Sequence, residues 1–72
     1  MLNKAISFIG PGVMAEAMIA GLLRQKLSRP KCITASGPRA ERLEELRAKY
    51  GVGTTADNAA AAHEADVLVL SV

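Results

Sequence analysis

Gly10, Gly12 and Ala15 stand in the spacing G-x-G-x-x-A directly after the apolar run Ala5-Ile6-Ser7-Phe8-Ile9. The chemistry of that spacing is anion binding by the main chain. Gly10 permits a tight turn, and Gly12, having no side chain, lets a phosphate approach the backbone. Ala15 is small where a third glycine is usual, so the helix that follows stays close to the strand. A helix opening at Val13 aims the N–H groups of Val13 and Met14, and the positive end of its dipole, at the same phosphates. A glycine turn can also be plain punctuation between a strand and a helix. Its position near the N-terminus, in a chain of alternating strands and helices, favours phosphate binding.

A second group lies at Ser36-Gly37-Pro38-Arg39. Proteins that bind NAD commonly place Asp or Glu about 20 residues past the glycines to hold the ribose 2′-OH. Between Ala17 and Ala40 there is no acidic residue at all. A small hydroxyl, a backbone turn and the Arg39 cation instead suit a 2′-phosphate. Arg39 reads equally well as a solvated first-turn arginine, so the missing acid is the firmer argument. It points to NADP(H) over NAD(H). Asn58 and Ser71 fall at a helix start and a strand end, where each also has a purely local explanation. Both nevertheless lie on the carboxyl side of the strands, where open parallel sheets bind ligands. His63 sits at the other end of its helix, where a helix C-terminus favours histidine. It is not a catalytic candidate, and no acid, base or nucleophile stands out. Cys32 is alone, which excludes an internal disulfide and the paired-cysteine metal spacings, and no metal site is expected.

The elements that must carry these residues follow from periodicity. Residues 5–9 form a strand with both faces apolar. Val13 to Lys26 reads as a helix whose inner stripe is Met14, Ala17, Met18, Gly21 and Leu22. A glycine inside a helix costs about 1 kcal/mol against alanine, so Gly21 is expected to allow close approach to the sheet. Cys32-Ile33-Thr34-Ala35 is a second strand, with Cys32 a core thiol. Pro38 suits the first turn of the next helix, Arg39 to Tyr50. Leu43, Leu46 and Tyr50 face inward there, and Glu44–Arg47 and Glu45–Lys49 pair outside. Gly51 caps its C-terminus. Val52-Gly53-Thr54-Thr55 is a weak strand, Asp57 an N-cap for the helix Asn58 to Glu64, and residues 67–72 a strongly apolar strand. The order β-α-β-α-β-α-β with short connections predicts an α/β fold, a Rossmann-type parallel sheet with flanking helices and right-handed crossovers.

The 72 residues hold one small unit of this kind. A net charge of +2 with scattered basic residues argues against a nucleic-acid partner. No apolar run approaches the roughly 18 residues of a membrane span, and no leader peptide stands at the N-terminus, so a cytoplasmic location is expected. Residues 71 and 72 stop at an apolar strand with no further cover. The expectation is a truncated, partial dinucleotide-binding domain over 1–72, with a second domain absent.

Taken together, four segments resemble the N-terminal domain of pyrroline-5-carboxylate reductases: Phe8-Ile9-Gly10-Pro11-Gly12-Val13-Met14-Ala15-Glu16-Ala17, Ala35-Ser36-Gly37-Pro38, Asn58, and Ala65-Asp66-Val67-Leu68-Val69-Leu70-Ser71-Val72. The resemblance spans nearly the whole chain but only the opening part of such an enzyme. It implies that Ile9, Gly10, Pro11, Gly12, Val13 and Met14 hold the pyrophosphate. Ser36 would approach the adenosine phosphate, Asn58 the adenosine portion, and Ser71 and Val72 the nicotinamide half. It further implies that the full-length protein reduces 1-pyrroline-5-carboxylate to L-proline with NAD(P)H. The small-molecule substrate, the proton donors and homo-oligomer formation would belong to the C-terminal helical domain, leaving no catalytic residue here. Val13 departs from the family's frequent Asn or Gln, and Pro11 removes one backbone donor. Two alternatives stay open. One is another NADP-dependent Rossmann oxidoreductase of the β-hydroxyacid dehydrogenase or coenzyme F420-dependent type. The other is a non-catalytic nucleotide-sensing module.

Overall fold

The apolar runs become four strands: β1 (Ile6–Ile9), β2 (Ile33–Ser36), β3 (Gly53–Thr55) and β4 (Val67–Leu70). Between them lie α1 (Val13–Arg24), a 3-10 turn (Pro30–Cys32), α2 (Ala40–Tyr50) and α3 (Asn58–Glu64). The structure, a computed structural model, describes residues 4–10 and 12–70. The expectations for Pro11, Ser71 and Val72 lie outside the described residues.

All strand pairs are parallel, in the order β3-β2-β1-β4. Phe8 stands level with Ala35 on one side and Val69 on the other. The chain works outward from β1 to β3, then crosses back to β4 beside β1. The order reverses at β1, which is where the carboxyl ends of an open sheet splay apart into a crevice. The glycine turn follows β1 directly.

Alternation along β1 divides the two faces. Ser7 is buried and its hydroxyl donates to the Ala61 carbonyl of α3 at 2.8 Å. Ile6 and Phe8 point the other way, into a core with Ala15, Ile19, Ile33, Ala35, Leu43, Leu46 and Val52. That core lies under α1 and α2. Of the alanines of α3, Ala61 is the one buried against the sheet, while Ala59, Ala60 and Ala62 are exposed.

Several expectations are corrected. The buried positions of α1 are Ala15 and Ile19, with Leu22 and Leu23 packed beside them, whereas Met14, Ala17 and Met18 are exposed. The helix is apolar nearly all round, so spacing alone did not single out its inner face. Gly21 makes no close approach, since a Cβ there would meet no atom within 4 Å. The helix stops at Arg24 rather than Lys26. Lys26 takes a left-handed φ of 57°, donating to the Leu23 carbonyl while Leu27 donates to Leu22. This is a Schellman closure with lysine in the usual place of glycine. Pro38 stands before the N-cap residue Arg39, outside the first turn. Cys32 belongs to the 3-10 turn and is half-buried. Gly51 and Asp57 cap as expected: Gly51 has φ 74°, and the Asp57 carboxylate accepts from the Ala59 and Ala60 N–H groups.

Candidate dinucleotide site

The turn after β1 is built from the main chain. Gly10 has φ 84°, in the left-handed region that favours glycine, and its N–H donates to the Ser36 carbonyl at 2.9 Å. That bond ties the end of β1 to the end of β2. The Gly12 N–H closes the turn on the Gly10 carbonyl, also at 2.9 Å.

Gly12 itself is the N-cap of α1, with φ −100° and ψ −165°. This is extended backbone that any residue adopts. A Cβ at Gly12 would meet nothing within 4 Å. Neither conformation nor packing within the described residues requires glycine there. What its missing side chain leaves is room in front of a helix N-terminus. The first intrahelical bond to Gly12 comes from Glu16 N–H, so the Val13 and Met14 N–H groups precede the helical ladder. Both residues are exposed, and Ala15 beneath them is fully buried against the sheet. The arrangement fits a pyrophosphate: open space, main-chain donors and the positive end of a twelve-residue helix. Ile9, at the end of β1, is half-buried beside the turn.

The second part of the site lies at the end of β2. Ser36 is fully buried, and its hydroxyl donates to Asn58 Oδ1 at 2.5 Å. The structure therefore brings together two residues that are 22 apart in sequence. The same bond uses the hydroxyl's proton inside the protein. The Gly37 N–H is also engaged, donating to the Thr55 carbonyl at 3.3 Å. Of the donors expected for a 2′-phosphate, Arg39 is the one left exposed. It lines a hollow of about 290 Å³ with Pro38, Ala40 and Glu41. Glu41, in the first turn of α2, brings a carboxylate to that hollow which the sequence argument did not weigh.

A polar cluster beside the turn was also missed. Glu16, in the first turn of α1, accepts from Tyr50 Oη at 2.8 Å, from Arg42 at 2.5 Å and from Lys49 Nζ at 3.1 Å. Hydrogen bonds from Tyr50, Arg42 and Lys49, in that order, hold its carboxyl down at about 2. Lys49 therefore reaches across to α1, and not along α2 to Glu45 as expected; Glu45 lies 3.8 Å from Arg42 instead. The Glu44–Arg47 pair forms as expected. Partners 26 to 34 residues away leave no trace in local spacing. Among the described residues, His63 lies at the far end of α3 from Asn58, and no cluster of His, Cys, Asp and Glu could hold a metal.

A glycine turn placed at a sheet reversal is shared by many nucleotide proteins, so relatedness decides the family. The model of the family described as NADP oxidoreductase, coenzyme F420-dependent, matches residues 5–72. The chain belongs to this family. Within it, the chain is 44% identical to the pyrroline-5-carboxylate reductase of Vibrio alginolyticus over all 72 residues, which make up 26% of that protein. It is 38% identical to the one from Methanosarcina acetivorans, again over 72 residues and 27% of the relative. A solved pyrroline-5-carboxylate reductase from Coxiella burnetii superimposes with a TM-score of 0.90 at 37% identity, over 99% of this chain and 26% of that one. The chain thus spans about a quarter of the length of these oxidoreductases. The parallel sheet and flanking helices are the fold it shares with the solved relative. No helix among the described residues is long and apolar enough to cross a membrane.

Proposed function

We propose that this chain is the cofactor-holding part of a longer pyrroline-5-carboxylate reductase. Gly10, Gly12, Val13 and Met14, with Ile9 and Pro11, hold the pyrophosphate of NADP(H). Arg39 and Asn58 hold its adenosine half, with the buried Ser36 fixing Asn58 through its hydroxyl, and Ser71 and Val72 serve the nicotinamide half. The observation that carries this reading is Gly12, a glycine demanded by neither its φ nor its neighbours. A ligand's need for space explains it. When bound, the cofactor supplies the hydride that reduces the C=N bond of 1-pyrroline-5-carboxylate to L-proline. The residues of this chain bind and orient it. Substrate contacts, proton donation and homo-oligomer formation belong to a helical domain outside these 72 residues, and the protein works in the cytoplasm.

The absence of an acid at the end of β2 and the exposed Arg39 favour NADPH over NADH. A charge-assisted hydrogen bond of about 1.5–3 kcal/mol makes that preference roughly tenfold or more. The family's own description favours one second reading, an NADP oxidoreductase acting on coenzyme F420. Turnover of NADPH with each substrate separates the two.

The test of the site is calorimetric titration of the full-length protein with NADPH and NADH. Wild-type protein is expected to bind NADPH the more tightly. Gly12→Val should abolish binding of both while the protein stays folded, because the side chain enters the space in front of the helix start, where a Cβ meets nothing within 4 Å. A folded Gly12→Val protein with normal NADPH affinity would show the turn to be structural only.

A further inference from the structure

A helix start that binds phosphate is poorly served by an acid in its first turn. Glu16 places one there, with its N–H bonded to the Gly12 carbonyl. An unmasked carboxylate at that distance cancels part of the positive field that draws an anion. The described residues hold an answer on α2. Arg42 and Lys49 supply two cations to the one carboxylate, and Tyr50 a third donor. Lys49 is two-thirds exposed and therefore weakly felt through solvent, whereas the Arg42 side chain is only 23% exposed.

Arg42 also touches the turn itself. Its guanidinium lies 3.4 Å from the Gly12 carbonyl oxygen. That carbonyl shares one planar trans peptide with the Val13 N–H, so the two point in opposite directions. Holding the oxygen along the helix holds the N–H outward, toward the space in front of Gly12.

We propose that Arg42 is a positioning residue for the pyrophosphate turn: it masks the Glu16 carboxylate and, through the Gly12 carbonyl, keeps the Val13 N–H aimed at the phosphate. This rests on the pyrophosphate site proposed above. Its specificity lies in the cofactor, not in the substrate or the chemical step.

The experiment uses the full-length protein and NADPH, with affinity from calorimetry and kcat and KM from steady-state turnover. Arg42→Ala is expected to raise the NADPH Kd about tenfold, the scale of one unit charge acting over roughly 8 Å in a partly screened medium. kcat and the KM for the imine substrate should stay unchanged. Adding Glu16→Gln to Arg42→Ala removes the unmasked charge and should recover most of that loss, and Glu16→Gln alone should bind NADPH no more weakly than wild type. Arg42→Lys, which keeps the charge and the fold, should stay closer to wild type than Arg42→Ala. Arg42→Met preserves the packing volume and takes the place of Arg42→Ala should the latter not fold. Wild-type affinity in the folded Arg42 variant, or a double variant no better than the single one, would overturn the proposal. A wild-type protein that does not bind NADPH, or a Gly12→Val protein that does, would instead overturn the site on which it rests.

Discussion

The two flanks of α1 are held in opposite ways. Toward α2, Glu16 gathers Arg42, Lys49 and Tyr50 into one charged cluster beside the turn. Toward β4, Met18, Gly21 and Leu22 face Ile6, Phe8, Val67 and Val69 across an open apolar hollow of about 470 Å³. On the first flank each partner has a defined direction, so the helix start is placed in angle as well as position. On the second, the rim is apolar throughout, and Val67 of the edge strand is exposed beside it. Directional contacts are what a binding turn needs, and they lie on the flank nearest to Gly12. The open flank touches none of the proposed phosphate donors.

Neighbouring residues on α1 offer the largest contrast. Ile19 is fully buried in the core, while Met18 lies on the rim of the hollow at 37% exposure. Ile19→Ala is expected to cost about 2–5 kcal/mol, and Met18→Ala less than about 1 kcal/mol. Urea unfolding of both variants checks this, and equal losses would erase the distinction between the flanks.

An intermediate effect comes from pH on the charged flank. The Glu16 carboxyl is held near 2, below its ordinary value of 4.5. A lowered folded-state value favours folding above the ordinary range, and that contribution is lost as pH falls from about 4.5 toward about 2. The denaturation midpoint followed from pH 6 to pH 2 should therefore fall less steeply in Glu16→Gln than in wild type. Parallel curves would mean that the cluster contributes nothing beyond solvated charges.

The smallest effect belongs to the open flank. Gly21 has a helical backbone with empty space around its missing Cβ. Gly21→Ala should stabilise the 72-residue chain by about 0.5–1 kcal/mol, by lowering the entropy of the unfolded state. A loss of stability in thermal melts would contradict the open space at that position.

Local chemistry made most of the fold legible. A single residue type at a single place was enough for Asp57 to cap α3, for Gly51 to close α2 and for Gly10 to turn after β1, because each acts on backbone groups within a few positions. The helix Asn58–Glu64 has the bounds that its cap implies. The elements bearing Gly12, Ser36 and Asn58 were readable for the same reason, as each marks an end where periodicity stops. The inner face of α1 was not, since Val13, Met14, Ala17, Met18 and Ile19 are all apolar and any of several stripes satisfies a helical period.

By itself, then, the sequence determined the succession of strands and helices, the caps at Gly51 and Asp57, and that a glycine turn meets a helix start after β1. Those properties depend on neighbours within about four residues along the chain. Only the tertiary structure decided that β4 returns to the side of β1, that Ile19 and not Met18 meets the core, and that the Ser36 hydroxyl is already bonded to Asn58. It also decided that Glu16 is answered from α2, by side chains 26 to 34 residues away. Contacts of that range follow from how helices settle on a shared sheet, and no local pattern of residue types encodes them.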